Sequence, residues 1–418
     1  MYQDVLGGLL RYILSFLGIY ILIYLAPIVV FFLSLFSIFA SALSGKFSSI
    51  FIFIFLVIHI LYSIFLGIPP QVVLFSVYTL NAFLMGIVAI QRNYLGKLSR
   101  HLPLLWALAC LGVLLSMAVD FPWIGSTVEI GGTKVETARD WDVAGIRRLA
   151  GLSRSSAVVG VEIAISMAFL LSQRYPIFLK ILFFAVSVIC IVATTAKTIL
   201  IAIVASPAIY ILFAATSRKT HRSRRYSIAV ILISMSLMTF VVVGFPFLGN
   251  FGAQLYIGFD PSLIFDFFRL DSLEDRILNT WPEALSILTQ AKNNELFYIF
   301  GAGLGSIGGG SYIYIGALAN PADNMFVFLF VTFGLSGVLF FIPIFLRWKQ
   351  WNIYNNDSLN VIFHIGFMSL SIATLTTCLE SIFSGIGFGL LVGKGLYMPV
   401  GQQRLGLSVI SSENKGKR

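Results

Sequence analysis

Apolar residues in this chain fall in long unbroken runs rather than in the short periodic patterns of a water-soluble domain. Twelve runs stand out, at 9–25, 27–44, 48–66, 72–90, 102–119, 155–172, 176–194, 197–214, 226–247, 324–346, 360–383 and 385–400. Each is close to the roughly 17–25 residues that an α-helix needs to cross the hydrocarbon core. The pattern predicts an all-α fold, a polytopic transmembrane bundle of about twelve spans forming one domain over 1–418. Two stretches interrupt it, at 120–154 and 248–323, and both are expected to be outer loops that carry short helices. Only Tyr24 to Pro27 separates the first two runs, so a single long helix kinked at the proline is the alternative there.

Composition agrees with the pattern. The chain has 418 residues, 58% hydrophobic and 11% charged, where a soluble domain carries about 25% charged residues. The net charge of +10 is not a sign of nucleic-acid binding. It is concentrated in short loops, where Lys and Arg act as topology signals. The clusters are Arg218, Lys219, Arg222, Arg224 and Arg225; Arg92, Lys97 and Arg100; Arg347 and Lys349; and Lys415, Lys417 and Arg418. Twelve spans place all four clusters and both termini on one face, the cytoplasmic one; eleven spans split them. Acidic residues give an independent check, since 13 of the 18 lie in the two outer loops. Cys110, Cys190 and Cys378 sit inside apolar runs and suggest neither a disulfide nor a zinc site. No cleavable signal peptide is expected, because the first apolar run continues into the second.

The outer loops carry the candidate chemistry. Alternation from Thr127 to Val135 predicts a short hairpin around Gly131 and Gly132. Arg139, Arg147, Arg148 and Arg154 follow, on the side that the positive-inside rule disfavours. Their plain reading is pairing with Asp140, Asp142 and lipid headgroups. In the second loop, Leu273, Ile277, Trp281, Leu285 and Leu288 recur at helical spacing. Thr280 and Glu283 have capping-box spacing, with Pro282 in the first turn. This predicts two short helices, or one kinked helix, with Arg276 and Glu283 on the face away from the apolar stripe. That face is either ordinary solvated surface or a cation and a carboxylate presented to a substrate.

The segment Phe300–Ser311, FGAGLGSIGGGS, has neither the lysine of a phosphate-binding loop nor the βαβ setting of a dinucleotide fold. It reads as flexible turns, or else as a nest of backbone N–H groups for an anion. Asp323 or Asn320 is placed to cap the helix that follows. Charges inside or beside spans are functional candidates by default. Glu162, Lys197 and Glu380 converge toward the outer face, Lys180 can snorkel, and His59 and His364 read as core histidines. The outer face offers neither a histidine nor a metal-ligand cluster.

Four short stretches, taken in order, resemble the superfamily of bacterial O-antigen ligases and Wzy-type O-antigen or exopolysaccharide polymerases. RRLAGLSRSSAVVGVEIAIS (147–166) is similar to the family's Arg-x-x-Gly entry into a middle span. TTAKTILIAI (194–203) is similar to its Ser/Thr-rich turn with a basic residue, more often Arg than the Lys197 found here. DRILNTWPEAL (275–285) is similar to its Arg-x-x-x-x-Trp loop helix, followed by Gly301 and Gly303. ADNMFVFLFVTFGLSG (322–337) is similar to its helix entry. The resemblance covers about 100 to 350. It departs from the ligases at Asp323, where they carry a histidine, and so leans toward a polymerase.

The resemblance implies an inverting glycosyltransferase in the bacterial inner membrane, needing no cofactor or metal. Its donor is an undecaprenyl-pyrophosphate-linked oligosaccharide, and its acceptor is the non-reducing end of a second lipid-linked repeat unit. Membrane lipid and a chain-length regulator protein are the implied partners. Arg147, Arg148 and Arg276, with Arg154 and Lys197 behind them, are the candidates to hold the pyrophosphate. Asp323, then Glu283 and Glu380, are the candidates for the base. The rival readings are an O-antigen ligase, a polysaccharide flippase or other transporter, and a membrane acyltransferase.

Overall fold

In the computed structural model of the protein, the chain is described except for residues 131–132, 141, 144–145, 174, 197–198, 201, 204–275, 291–295, 309–310, 312–323, 341, 343–356, 374–380 and 398–418. The predicted span 226–247, most of 197–214 and much of loop 248–323 lie outside the described residues.

The described residues are mainly helical. Helices α1 (Tyr2–Val5) and α2 (Gly7–Phe16) run up to a turn at Gly18, whose φ of 71° ends α2. A 3₁₀ turn, Tyr20–Tyr24, then leads into α3 (Leu25–Leu43). Arg11 Nη1 donates to the Tyr20 hydroxyl at 2.8 Å, and Gln3 Nε2 donates to the Ile23 carbonyl at 2.6 Å. The first run is therefore broken within itself at Gly18 rather than at Tyr24–Pro27: the 3₁₀ turn folds back on α2, and Tyr20–Leu43 continues as one helical stretch. Pro27 is harmless in the first turn of α3. Its missing N–H would have bonded to Ile23, and the Gln3 amide takes that carbonyl instead.

Next come α4 (Phe47–Phe65), α5 (Pro70–Thr79), α6 (Asn81–Gln91), α7 (Leu95–Ser99) and α8 (Leu102–Ser116), then α9 (Ser156–Ser172) and α10 (Ile177–Ala193). A wide π turn, Arg276–Thr280, runs directly into α11 (Trp281–Gln290), and α12 (Leu296–Phe300) follows. The series ends with α13 (Met325–Phe333), a 3₁₀ stretch Gly334–Phe340, α14 (Asp357–Ala373) and α15 (Ile382–Tyr397).

Among the described residues, three helical stretches are long and apolar enough to cross a membrane: Tyr20–Leu43, Phe47–Phe65 and Leu95–Ser116, with mean hydropathies of 2.6, 2.4 and 1.6. The pair α5 and α6, bent by 50°, makes a fourth if taken as one span. The other apolar helices have 10–17 residues, so the described helices amount to fewer full crossings than the twelve runs predict. Apolar runs continue through the turns that end the helices, and run length overstates helix length.

Burial shows what the helices face. Phe32, Leu33 and Phe36 on α3, and Ile177, Phe178 and Ile181 on α10, are each more than 60% exposed. Such apolar surface suits lipid, not water. By contrast, α9 and α15 are buried on nearly every side and form the centre of the bundle.

Where α15 crosses α6, Gly385, Gly389 and Gly393 recur every four residues against Ala82, Phe83, Gly86 and Ile87. A Cβ on Gly389 would collide with the Phe83 carbonyl, and one on Gly86 with the Ile386 carbonyl. Small residues at this spacing let two backbones touch, which is how helices associate where lipid removes the hydrophobic drive. Gly389→Val is expected to cost about 1–3 kcal/mol or more by overpacking. The loss should appear as a lowered melting temperature and a broadened size-exclusion profile in detergent. An unchanged profile would show that α6 and α15 do not meet this closely.

Candidate functional site

Loop 120–154 is built on Trp123. Its ring stacks on Phe121 at 4.4 Å, and its Nε1 donates to the Gly151 carbonyl at 3.1 Å. Thr137 Oγ1 donates to the Trp123 carbonyl at 2.6 Å. Strands β1 (Thr127–Ile130) and β2 (Thr133–Glu136) pair antiparallel with Val128 opposite Val135, the hairpin that the alternation predicts. A second small ribbon pairs β3 (Asp142–Val143) with β4 (Ile146–Arg147). Loop 120–154 therefore carries hairpins where short helices were expected. Its β-branched alternation outweighs any helical period.

The end of the loop is wedged between helices. Gly8 N–H and Leu9 N–H donate to the Leu152 carbonyl at 2.9 and 3.3 Å, and Ser153 Oγ donates to the Asp4 carbonyl at 2.9 Å. Three glycines make the room. A Cβ on Gly8 would lie 2.6 Å from the Ser153 carbonyl, one on Gly112 would lie 2.8 Å from the Leu152 side chain, and one on Gly151 would lie 2.8 Å from the Gly112 backbone.

This seating sends the candidate arginines in different directions. Arg147 faces outward and binds Asp120 and, at 3.0 Å, Asp140. Slight burial opposes its charge, but the hydrogen bonds and charges of Asp140 and Asp120 outweigh that and raise its pKa. The plain reading of loop ion pairs thus holds for Arg147 with Asp140, and Asp120 joins it. Arg148 turns inward. Its Nε donates to Thr195 Oγ1 at 2.8 Å and its Nη2 to the Thr195 carbonyl at 3.4 Å. Burial, and then the charge of Arg276, pull the Arg148 pKa below its ordinary value. The charge of Arg276, 128 positions further along the sequence, is therefore felt at Arg148. Arg154 points elsewhere: burial and the charges of Arg11 and Arg139 lower its pKa.

Thr195 has φ of 55°. This left-handed region is costly for a β-branched residue, and Arg148 holds it there from two sides. Arg276 is half-buried at the head of the π turn. On α11, Trp281, Ala284, Leu285 and Leu288 are buried while Glu283 is exposed, so the apolar stripe packs inward as its spacing predicts. The π turn, which ends at Thr280, passes directly into α11. Pro282 offers no N–H, so the wide turn loses nothing at that position.

The glycine segment differs from both readings of it. Gly301, Gly303, Gly305 and Gly308 all have φ between 76° and 96°, and the stretch from Gly301 to Gly305 is buried. Ala302 N–H donates to Val331, Gly303 N–H to Thr332 and Leu304 N–H to Ser63 Oγ. The segment is a packed brace against α4 and α13, not a set of flexible turns, and these three amides are committed to protein acceptors. The cap of α13 is Asn324, whose Oδ1 accepts from Phe326 and Val327 N–H at 2.8 and 3.2 Å. Asn320 and Asp323, the caps that the sequence suggests, lie outside the described residues.

Asp323, Glu380 and Lys197 lie outside the described residues. Glu162 is 1% exposed, and among the described residues neither of its carboxyl oxygens has a hydrogen-bond partner. Its charge is within range of Asp4 and it is buried rather than presented at the outer surface. His59 is a core histidine, 1% exposed, with Nε2 2.9 Å from Ser336 Oγ.

The sequence reading passed over Thr195 and Arg11. Nothing in a threonine pair announces a left-handed turn. Arg11, a lone charge inside an apolar run, is a signal of the kind that singled out Glu162. Compared with known proteins, the chain matches no family model, no curated protein and no solved structure.

Two substitutions check these local assignments. Asn324→Ala is expected to cost about 1 kcal/mol, the worth of an N-cap. Arg147→Ala, which breaks only exposed ion pairs, is expected to cost less than about 1 kcal/mol. Both are read from thermal unfolding in detergent. A neutral Asn324→Ala would remove the cap.

Proposed function

We infer that the chain is a polysaccharide polymerase, an inverting glycosyltransferase of the bacterial inner membrane. It would transfer a glycan from undecaprenyl pyrophosphate to the non-reducing end of another lipid-linked repeat unit. The observation that carries this reading is the approach of Arg148 and Arg276. Two guanidinium groups that act on one another can share a polyanionic ligand such as pyrophosphate. Arginine forks there would stabilise the leaving pyrophosphate as charge develops on it. Arg154 faces a different set of groups and Arg147 is engaged with carboxylates, so Arg148 and Arg276 become the first choices. A carboxylate, Asp323 before Glu283 and Glu380, would take the proton of the attacking hydroxyl.

Loops 120–154 and 248–323 would face outward, with both termini and residues 216–226 in the cytoplasm. The acid-rich loops and the basic clusters support this orientation. In cells carrying single cysteines, an impermeant thiol reagent should label Gln290→Cys and spare Thr220→Cys. Labelling at 220 in intact cells would overturn the orientation.

Activity is tested on the surface glycan of a deletion strain. Single-repeat glycan is the expected phenotype; unattached polymer would indicate a ligase, and loss of all surface glycan a flippase. In complemented cells, Arg148→Ala and Arg276→Ala should each lower polymer formation about a hundred- to thousandfold at normal protein level. A wild-type chain-length distribution in either would take that arginine out of the site. Asp323→Asn should be stable and inactive while still retaining lipid donor; an active Asp323→Asn would move the base elsewhere.

A further inference from the structure

Cys110 and Cys190 stand 80 positions apart in the chain and meet inside the bundle. Helices α8 and α10 pack there along an aromatic and polar seam. Trp106 sets its ring edge-on to Phe183 at 5.1 Å, and its Nε1 donates to Ser187 Oγ at 2.8 Å. One turn further along both helices come the cysteines, so α8 and α10 run parallel and bring the two positions to one level. The Cys190 thiol donates to the Cys110 carbonyl at 3.8 Å, and the Cys110 thiol donates to the Cys190 sulfur. Both side chains are buried and both thiols are free. Their chain neighbours Leu111 and Ile189 are each more than half exposed, so the pair lies a side chain's depth from the apolar surface.

The pair also lies beneath both supports of Arg148. Gly112, two positions after Cys110, is the residue against which Gly151 packs. The Cys190 carbonyl accepts from Thr194 N–H at 3.0 Å, and Thr195, which holds the Arg148 guanidinium, comes next. We propose that Cys110 and Cys190 form a redox clasp, closing into a disulfide that ties α8 to α10 and shifts the turn on which Arg148 rests. Closure forms the S–S bond and breaks both S–H bonds. A membrane-soluble oxidant of the quinone or diazene class takes up the two electrons and two protons and leaves as the hydroquinone or hydrazine. A buried thiol is ordinarily inert toward reagents in water, but here the second sulfur is already in contact and the nearest solvent is hydrocarbon. The sulfurs must still close to about 2.0 Å, and Cys190 carries that movement to Thr194 through its own carbonyl. The effect on activity rests on the role proposed for Arg148; the closure itself does not.

The test uses the full chain with Cys378→Ala, which leaves only these two of the three cysteines, in phosphatidylcholine nanodiscs with the diazene diamide as oxidant. Counted with a maleimide after denaturation, both thiols should be lost, and dithiothreitol should return them. The melting temperature of the oxidised protein should rise, because the bond closes 80 positions of chain and restricts the unfolded state. Adding Cys110→Ala or Cys190→Ala should abolish the rise, and either variant suffices if the other fails to fold. In membranes from complemented cells, the oxidant should reversibly suppress polymer formation by the Cys378→Ala protein and leave the doubly substituted proteins unaffected. The thiol count and the melting temperature do not depend on the reaction catalysed, so a reduced protein that makes no polymer tells against the polymerase reading and not against the clasp. Thiols that survive the oxidant, an unchanged melting temperature, or a fully crosslinked protein as active as the reduced one would overturn the clasp.

Discussion

Loop 120–154 depends on one steric constraint, the close backbone approaches made at Gly8, Gly112 and Gly151. Irregular chain can lie at membrane depth only where protein satisfies its polar groups. Here the Leu152 carbonyl receives two N–H donors from α2, Gly151 receives the Trp123 indole, and Arg154 receives Arg139. Those bonds form only because three hydrogen-sized side chains let α2, α8 and the loop touch. Once residues 150–154 are seated, Arg147, Arg148 and Arg154 have separate directions. One meets carboxylates outside, one meets Thr195 and Arg276, and one meets Arg11 and Arg139.

A loop that distributes charge this way alters what each arginine can do. Arg147 is neutralised by Asp120 and Asp140 and remains exposed, so it is largely structural. Arg148 is partly desolvated where the charge of Arg276 also acts, and an anion there gains far more than it would in water. Neighbours in sequence have thus become residues of different electrostatic kinds, and the difference comes from backbone placement rather than residue type.

Much of this was legible in the chain. Unbroken apolar runs located most helices, alternation located the β1–β2 hairpin, and helical spacing identified the buried face of α11. These signals are local and periodic, so one sequence reveals them. The contacts that were not legible are long-range or fall to single residues. Gly8, Gly112 and Gly151 are far apart in the sequence and none stands in a motif. The turn at Gly18 was hidden by apolar neighbours on both sides, while the more conspicuous Pro27 proved compatible with α3 because Gln3 reaches the carbonyl it leaves. Asn324, a good cap by type, was passed over in favour of Asn320 and Asp323, and its contact with the N–H groups of Phe326 and Val327 is what identifies it. Of the candidate site, the arginines were legible as charges gathered between apolar runs. Their division into two groups was not, because it follows from the glycine contact.

The left-handed turn at Thr195 gives Arg148 a thermodynamic partner. Residues held in that conformation store about 1–3 kcal/mol, and here two hydrogen bonds from one guanidinium act as the latch. An anion that draws those same N–H groups to itself unfastens the turn, and the stored energy is returned as the backbone relaxes. Occupancy at Arg148 and the shape of the α10 exit are then linked reciprocally: whatever fixes one shifts the other, and a helix end more than 40 positions away in sequence becomes a reporter of what the loop has caught.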